Sequence, residues 1–105
     1  MNISIKEYLN AVKKRPEMYI DELNYKELIK HINNFISFKK IFNLNDLNDK
    51  YFIQNFPKWV CKKYEIKHTF EDKWNIVILL NSINDIDAIT NFFRLFDEFN
   101  EEKQN

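Results

Sequence analysis

The segment IDAITNFFRLFDEFNEE, residues 86–102, decides the fold that this sequence predicts. Side chains three and four positions apart share one face of an α-helix. On that spacing the segment separates into a polar arc and a broad apolar arc, and Asn84 stands just ahead of it as an N-cap. The segment therefore predicts a long amphipathic helix. Its apolar arc contains Ala88, Ile89, Phe92, Phe93, Leu95, Phe96 and Phe99.

A first helix is predicted near the start of the chain. Ser4 and Glu7 have the spacing of a capping box, in which each side chain binds a backbone N–H of the other. Pro16 disfavours helical geometry at the preceding residue, so the helix should end by about Lys14. The basic residues at its end suit the negative end of the helix dipole. The apolar group that follows, Met18, Tyr19 and Ile20, is expected to anchor the next turn in the core.

A second helix is predicted from Asn24, which with Glu27 repeats the capping pattern, to about Phe42. Residues 43–49, NLNDLND, are interpreted as a polar connection. The sequence contains no glycine, so asparagine is the residue left to adopt left-handed backbone at helix ends.

A third helical pattern spans residues 52–64 but contains Pro57. Either this helix kinks, or a short helix ends and another begins with Pro57 in its first turn. We favour the second interpretation. Thr69 and Asp72 repeat a helix-start signal ahead of WNIVILL, residues 74–80, whose periodicity fits a helix or a buried strand. We favour the helix because no other segment offers a partner strand.

The predicted fold is therefore mainly α, a compact single domain of about five helices over residues 1–105. A chain of this length has room for one core. We expect that core to include Leu9, Val12, Tyr19, Leu28, Ile32, Phe35, Phe56, Trp59, Trp74, Val77, Phe92 and Phe96.

Charge and composition exclude several classes of function. The 16 basic and 16 acidic side chains cancel, whereas general nucleic-acid and membrane-surface binders carry a cationic excess. The distribution is uneven, since residues 71–105 hold three cations and eight anions. The absence of glycine also excludes the Gly-rich phosphate loops of nucleotide-binding folds.

Few side chains suggest chemistry. The single Cys61 lies among bulky apolar residues and is expected to be a buried, reduced thiol. His31 and His68 have no second histidine or cysteine at a ligand spacing, so we expect structural or solvent-facing roles, no metal site and no cofactor. No local nucleophile and base pattern is present, and the prediction is that this protein is not an enzyme.

The N-terminal sequence does not have the pattern of a signal peptide, and the longest apolar run, IVILL, is too short to span a bilayer. The sequence thus predicts a cytoplasmic protein that does not enter a membrane.

Four stretches in order carry a resemblance: RPEMYI (15–20), FPKWVCKKY (56–64), DKWNIVILL (72–80) and DAITNFFRLFDEF (87–99). Together they resemble a group of small bacterial immunity-type proteins that accompany secreted or contact-delivered toxins. Asp21 stands where that group usually has glycine. The matching residues are Arg15, Pro16, Met18, Tyr19, Phe56, Trp59, Val60, Trp74, Phe92 and Phe93.

The resemblance implies a cytoplasmic immunity protein of a contact-dependent growth inhibition system, one that binds a cognate toxin domain, such as a nuclease, and occludes its active site. Since nucleases present basic clefts, an acidic face would steer and block such a partner. The predicted binding residues form an acidic stripe on the last helix: Asp87, Glu98 and Glu101, with Asp97 and Glu102 at its margins. Direct nucleic-acid binding is not expected from this interpretation.

An alternative from another class is a small helical adaptor or regulator. It would bind a host protein or nucleic acid through Lys13, Lys14 and Arg15 together with Lys39 and Lys40.

Overall fold

The computed structural model describes residues 2–104, without the side chains of His68 and Gln104. These residues contain five α-helices and two 3-10 turns. The helices are α1 (Ile5–Lys14), α2 (Tyr25–Ile41), α3 (Leu47–Lys63), α4 (Trp74–Leu80) and α5 (Asp85–Gln104). The 3-10 turns are Pro16–Met18 and His68–Lys73. The described residues form no strand, which confirms the mainly α prediction.

Two compact units divide the chain, residues 1–52 and 53–105, with the boundary inside α3. We describe each unit by itself. That residues 1–105 form a single domain stays a prediction.

The first unit begins with α1, whose start and end agree with the sequence prediction. The Ser4 hydroxyl accepts a hydrogen bond from the Glu7 N–H at 3.0 Å, and the Glu7 carboxylate accepts the Ser4 N–H at 3.4 Å. This reciprocal pair satisfies two N–H groups that the helix itself leaves unpaired. The helix ends at Lys14, as Pro16 predicted.

The turn after α1 buries only part of its apolar group. Ile20 is buried and Tyr19 is half-buried, but Met18 is 67% exposed, so the expectation that Met18 anchors this turn is wrong. Met18 ends the 3-10 turn Pro16–Met18, none of whose residues is buried.

Helix α2 packs against α1, and a residue with left-handed backbone follows its C-terminal end. Asn24 caps its start by accepting the Glu27 N–H at 2.9 Å. At its end Asn43 has φ 54°, while the Leu44 N–H bonds the Lys39 carbonyl at 2.8 Å, the arrangement of a Schellman motif. The prediction that asparagine replaces glycine at a helix end is confirmed here. Glu65 takes the same backbone region after α3, with φ 58°.

Residues 43–49 are only partly a connection. Helix α3 begins at Leu47, so Leu47, Asn48 and Asp49 are helical, and the prediction of a seven-residue polar connection is wrong. Asp46 starts the helix early by accepting the Asp49 N–H at 2.8 Å.

A buried ion pair joins Lys39 near the end of α2 to Asp49 in the first turn of α3. Lys39 and Asp49 are each only 2% exposed, and the Lys39 Nζ lies 2.5 Å from the Asp49 Oδ2. The Lys39 ammonium also donates to the Ile3 carbonyl at 2.7 Å, and the Asp49 Oδ1 accepts the Ile5 N–H at 2.8 Å. This pair joins the start of α1, the end of α2 and the first turn of α3.

The second unit is built around aromatic rings. The Phe56 ring centroid lies 5.3 Å from that of Trp74, 5.4 Å from that of Phe99 and 5.9 Å from that of Phe92, each in an edge-to-face arrangement. Phe56 and Phe92 are fully buried, whereas Trp59 and Trp74 are half-buried.

Pro57 lies inside α3, which runs without a break from Leu47 to Lys63. The favoured prediction of two helices meeting at Pro57 is therefore wrong. Proline in a helix interior removes one hydrogen bond and costs about 3 kcal/mol. Burial of Phe56, Val60 and Cys61 on either side of Pro57 offsets this cost.

Residues 74–80 form helix α4, as predicted, but Thr69 does not cap it. The helix follows directly on the 3-10 turn His68–Lys73, and Lys73 occupies its N-cap position with no side-chain hydrogen bond.

Helix α5 begins at Asp85 and agrees with the prediction closely. Asn84 caps it by accepting the Asp87 N–H at 2.9 Å. Of the predicted core, Tyr19, Phe35, Trp59 and Trp74 are half-buried. The buried members are Leu9, Val12, Leu28, Ile32, Phe56, Val77, Phe92 and Phe96.

Lys39→Met should lower the free energy of unfolding by about 3 to 5 kcal/mol, because it leaves the Asp49 carboxylate buried without its counter-charge. The exposed neighbour offers a matched control, since Lys40→Met should change stability by about 0.5 kcal/mol or less. Urea unfolding of both variants measures the difference.

Adding Asp49→Asn to Lys39→Met should regain part of the loss, because the amide oxygen still accepts the Ile5 N–H while the unpaired charge is gone. Equal losses for Lys39→Met and Lys40→Met would show that the buried pair does not stabilise this unit.

Candidate partner-binding surface

The predicted acidic stripe lies along α5 and is held in a ladder of side-chain contacts. The Asn91 Nδ2 lies 3.4 Å from the Asp87 carboxylate, and the Arg94 guanidinium lies 3.5 Å from the Asn91 Oδ1. The next contact joins Arg94 to Glu98 at 3.3 Å. The spacing predicted from the sequence therefore does align these residues, but one amide, Asn91, and one cation, Arg94, lie between the carboxylates of Asp87 and Glu98.

Asp87 is half-buried and holds the turn before α5. Its Oδ2 accepts the Ile83 N–H at 2.8 Å, while its own N–H is bound by Asn84. A carboxylate in the first turn of a helix also interacts favourably with the helix dipole. Asp87 therefore has a structural role in the turn before α5.

Glu98 and Glu102 also have partners within the second unit. Glu98 lies between Arg94 and Lys63, whose Nζ is 3.5 Å from the Glu98 Oε2. Glu102 accepts a hydrogen bond from the Trp59 indole N–H. The cations Lys63 and Arg94 offset the negative charge of Glu98, whereas the Trp59 indole is neutral and leaves the charge of Glu102 in place.

The two remaining stripe residues differ in exposure, since Glu101 is exposed and Asp97 is half-buried. Partner binding by Asp87, Asp97, Glu98, Glu101 and Glu102 stays a prediction.

A second surface feature was not predicted from the sequence. Large aliphatic side chains are exposed along α4 and through the turn into α5, with Leu80 at 79%, Ile83 at 90% and Ile86 at 62%. Ile76 and Leu79 are exposed by 43% and 41%. We call Ile76, Leu79, Leu80, Ile83 and Ile86 the α4–α5 corner.

The helical spacing of WNIVILL, residues 74–80, indicates this apolar surface. On a helix, Val77 and Ile78 point to one side, where both are buried. Ile76, Leu79 and Leu80 have the i, i+3, i+4 spacing of a single opposite face. The sequence prediction placed Trp74 and Val77 of this run in the core and assigned no side of the helix to the surface. A helix with apolar residues on all sides is buried all round only when other elements cover every side.

The cationic residues proposed for an adaptor function are not all available. Lys13, Lys14 and Arg15 are exposed, but Lys39 is buried in its ion pair with Asp49. The expectation that Lys39 and Lys40 act together on a surface is wrong, because neighbouring residues in a helix point about 100° apart.

The second unit has surface depressions lined by charged and aromatic side chains. One of about 510 Å³ has Lys58, Glu71, Asp72, Pro57 and Trp74 among its lining residues. Another, of about 450 Å³, lies between Trp59, Lys63 and Glu102. Among the residues that the structure describes, no three His, Cys, Asp or Glu side chains are grouped so as to hold a metal ion.

Cys61 is buried, as predicted. Burial raises the pKa of its thiol, and the nearby carboxylates of Glu71 and Asp72 raise it further. A raised pKa keeps the sulfur protonated at neutral pH and therefore poorly nucleophilic. The side chain of His68, one of the two histidines of the sequence, lies outside the described residues.

Comparisons with protein-family models, with curated proteins and with solved structures give no match for this chain. Across residues 2–104, none of the helices combines the length and hydropathy needed to cross a bilayer.

Asp87→Ala should lower the free energy of unfolding by about 1 kcal/mol, because the Ile83 N–H loses its acceptor and α5 loses an anion in its first turn. Glu101→Ala is the control, an acidic residue of the same stripe that lies exposed near the other end of the helix. Its stability should change by about 0.5 kcal/mol or less. Thermal unfolding followed by circular dichroism measures both, and equal effects would contradict a structural role for Asp87.

Proposed function

We propose that this chain is an immunity-type protein that binds a cognate toxin domain in the cytoplasm and occludes its active site, with no catalysis of its own. The observation that carries the proposal is the α4–α5 corner, where five large aliphatic side chains are exposed within eleven residues. Contiguous apolar patches of this kind mark protein interaction sites.

The resemblance to small immunity-type proteins supports the same function, and four of its ten matching residues are buried. Phe56, Val60, Phe92 and Phe93 are buried, so these positions build the core of the second unit. A shared core is compatible with a partner surface that differs from one protein to another, because binding residues lie on the outside.

The kind of surface also favours binding over chemistry. The thiol of Cys61 is buried and its pKa is raised, and the side chains lining the larger depression are a lysine, two carboxylates, amides and apolar groups. An adaptor function through Lys39 and Lys40 is not favoured by any observation, since Lys39 is buried.

Co-expression tests the proposal. The gene next to the one that encodes this chain is expected to encode a protein with a toxin domain, and expression of that domain alone should arrest growth. The wild-type chain should restore growth, because a tight binder removes the free toxin.

Phe92→Ala provides the control for folding, since loss of a fully buried Phe costs about 3 to 5 kcal/mol and should abolish protection together with the fold. Growth arrest that persists with the folded wild-type chain at equal or higher expression would contradict the proposed function.

A further inference from the structure

Helix α4 is apolar on both of its sides, and only one side is covered. Val77 and Ile78 are buried, and α4 packs against α5. The outer side presents Leu80 at 79% exposure, together with Ile76 and Leu79. A helix with apolar residues all round is ordinarily buried on all sides.

The exposed surface continues past the helix. Ile83 is held in the turn by its N–H bond to the Asp87 carboxylate, and Ile86 follows in the first turn of α5. Ser82 donates to the Ile78 carbonyl at 2.7 Å and accepts from Asn91 at 2.9 Å. These bonds fix the turn, so the aliphatic side chains of the α4–α5 corner are presented in a preorganised arrangement, which lowers the entropy cost of binding.

The size of the corner fits the centre of an interface. A fully exposed aliphatic side chain offers on the order of 100 Å² of apolar surface, so the five partly exposed side chains offer roughly 300 Å². A standard interface buries about 800 Å² on each partner, with an apolar centre and a polar rim. The charge of the rim therefore decides which partner fits.

The charged residues next to the corner are mostly anionic, because residues 71–93 hold Glu71, Asp72, Asp85 and Asp87 against the cation Lys73. Residues 74–93 contain no lysine or arginine, and their two charged residues are Asp85 and Asp87. Asp85 is exposed, and Asp87 is half-buried beside Ile83. A cationic surface around an apolar depression complements this arrangement.

We propose that the α4–α5 corner is the docking surface for the toxin domain, and that it inserts Leu80 and Ile83 into an apolar depression rimmed by cations. This inference rests on the proposed function and names the surface and the chemistry of its partner. The basic cleft of a nucleic-acid-cleaving domain has the required rim.

A second copy of this chain fits the corner less well. A two-fold interface places the same patch against itself, so Asp85 and Asp87 of one copy would face the same carboxylates of the other. Like charges placed together across an interface oppose association.

The test compares two double variants of equal character. Leu80→Asn with Ile83→Asn removes the most exposed aliphatic side chains of the corner. Ile41→Asn with Leu47→Asn removes two side chains of similar exposure, 76% and 83%, from the first unit and serves as the control. Circular dichroism and thermal unfolding check that both variants keep the fold.

Binding to the purified toxin domain encoded by the neighbouring gene is then measured by calorimetry at about 50 mM and about 300 mM salt, since screening weakens charge complementarity. The corner variant should bind at least about tenfold more weakly than wild type, as expected for loss of central anchors. The control should bind like wild type, and wild-type affinity should fall at the higher salt concentration.

Wild-type affinity in the corner variant, or affinity independent of salt, would overturn this inference while leaving the proposed function in place. A wild-type chain that neither binds the toxin domain nor restores growth would overturn both. A wild-type dimer that the corner variant abolishes, seen by sedimentation, would assign the corner to a second copy instead.

Discussion

The first unit depends on one buried interaction, the ion pair between Lys39 and Asp49. Three segments meet at these two side chains, because Asp49 also accepts the Ile5 N–H and Lys39 also donates to the Ile3 carbonyl. Burying two charges is costly, and the extra hydrogen bonds offset part of that cost. The pair therefore links the start of α1, the end of α2 and the start of α3 through hydrogen bonds.

The second unit is held differently, since aromatic rings pack edge to face around Phe56 at the centre of its core. Such packing needs α3, α4 and α5 to present one face each. Helix α4 has more apolar residues than that face requires, and the excess lies outside as Ile76, Leu79 and Leu80. The surface proposed for binding is thus the side of α4 that the core does not use.

Patterns that act within one or two helical turns were predicted well. The capping pair Ser4 and Glu7, the stop before Pro16 and the cap at Asn84 depend only on nearby residues, and all three are present. The broad apolar arc of α5 is likewise set by helical spacing alone.

Features that depend on distant residues were not predicted. Asp49 lies in a polar stretch, and only its position opposite Lys39 makes it part of a core. Pro57 remains helical because tertiary burial of Phe56 and Val60 outweighs the local preference.

The candidate site shows the same division. Helical spacing placed the stripe on one face correctly, but not the partners that Lys63 and Trp59 supply to its carboxylates. Nor does the sequence state which side of α4 is covered. Helical spacing over residues 74–80 indicates a second apolar face on α4. That this face is exposed is seen only in the structure.

Amide hydrogen exchange tests the central claim most directly, namely that the outer side of α4 and the following turn contact the partner. Exchange is compared between the free chain and its complex with the neighbouring toxin domain, with residues 38–42 as an internal reference that also contains exposed Phe38, Ile41 and Phe42. Exchange across residues 76–86 should slow on binding while residues 38–42 stay unchanged. Unchanged exchange across residues 76–86 in a saturated complex would contradict the claim.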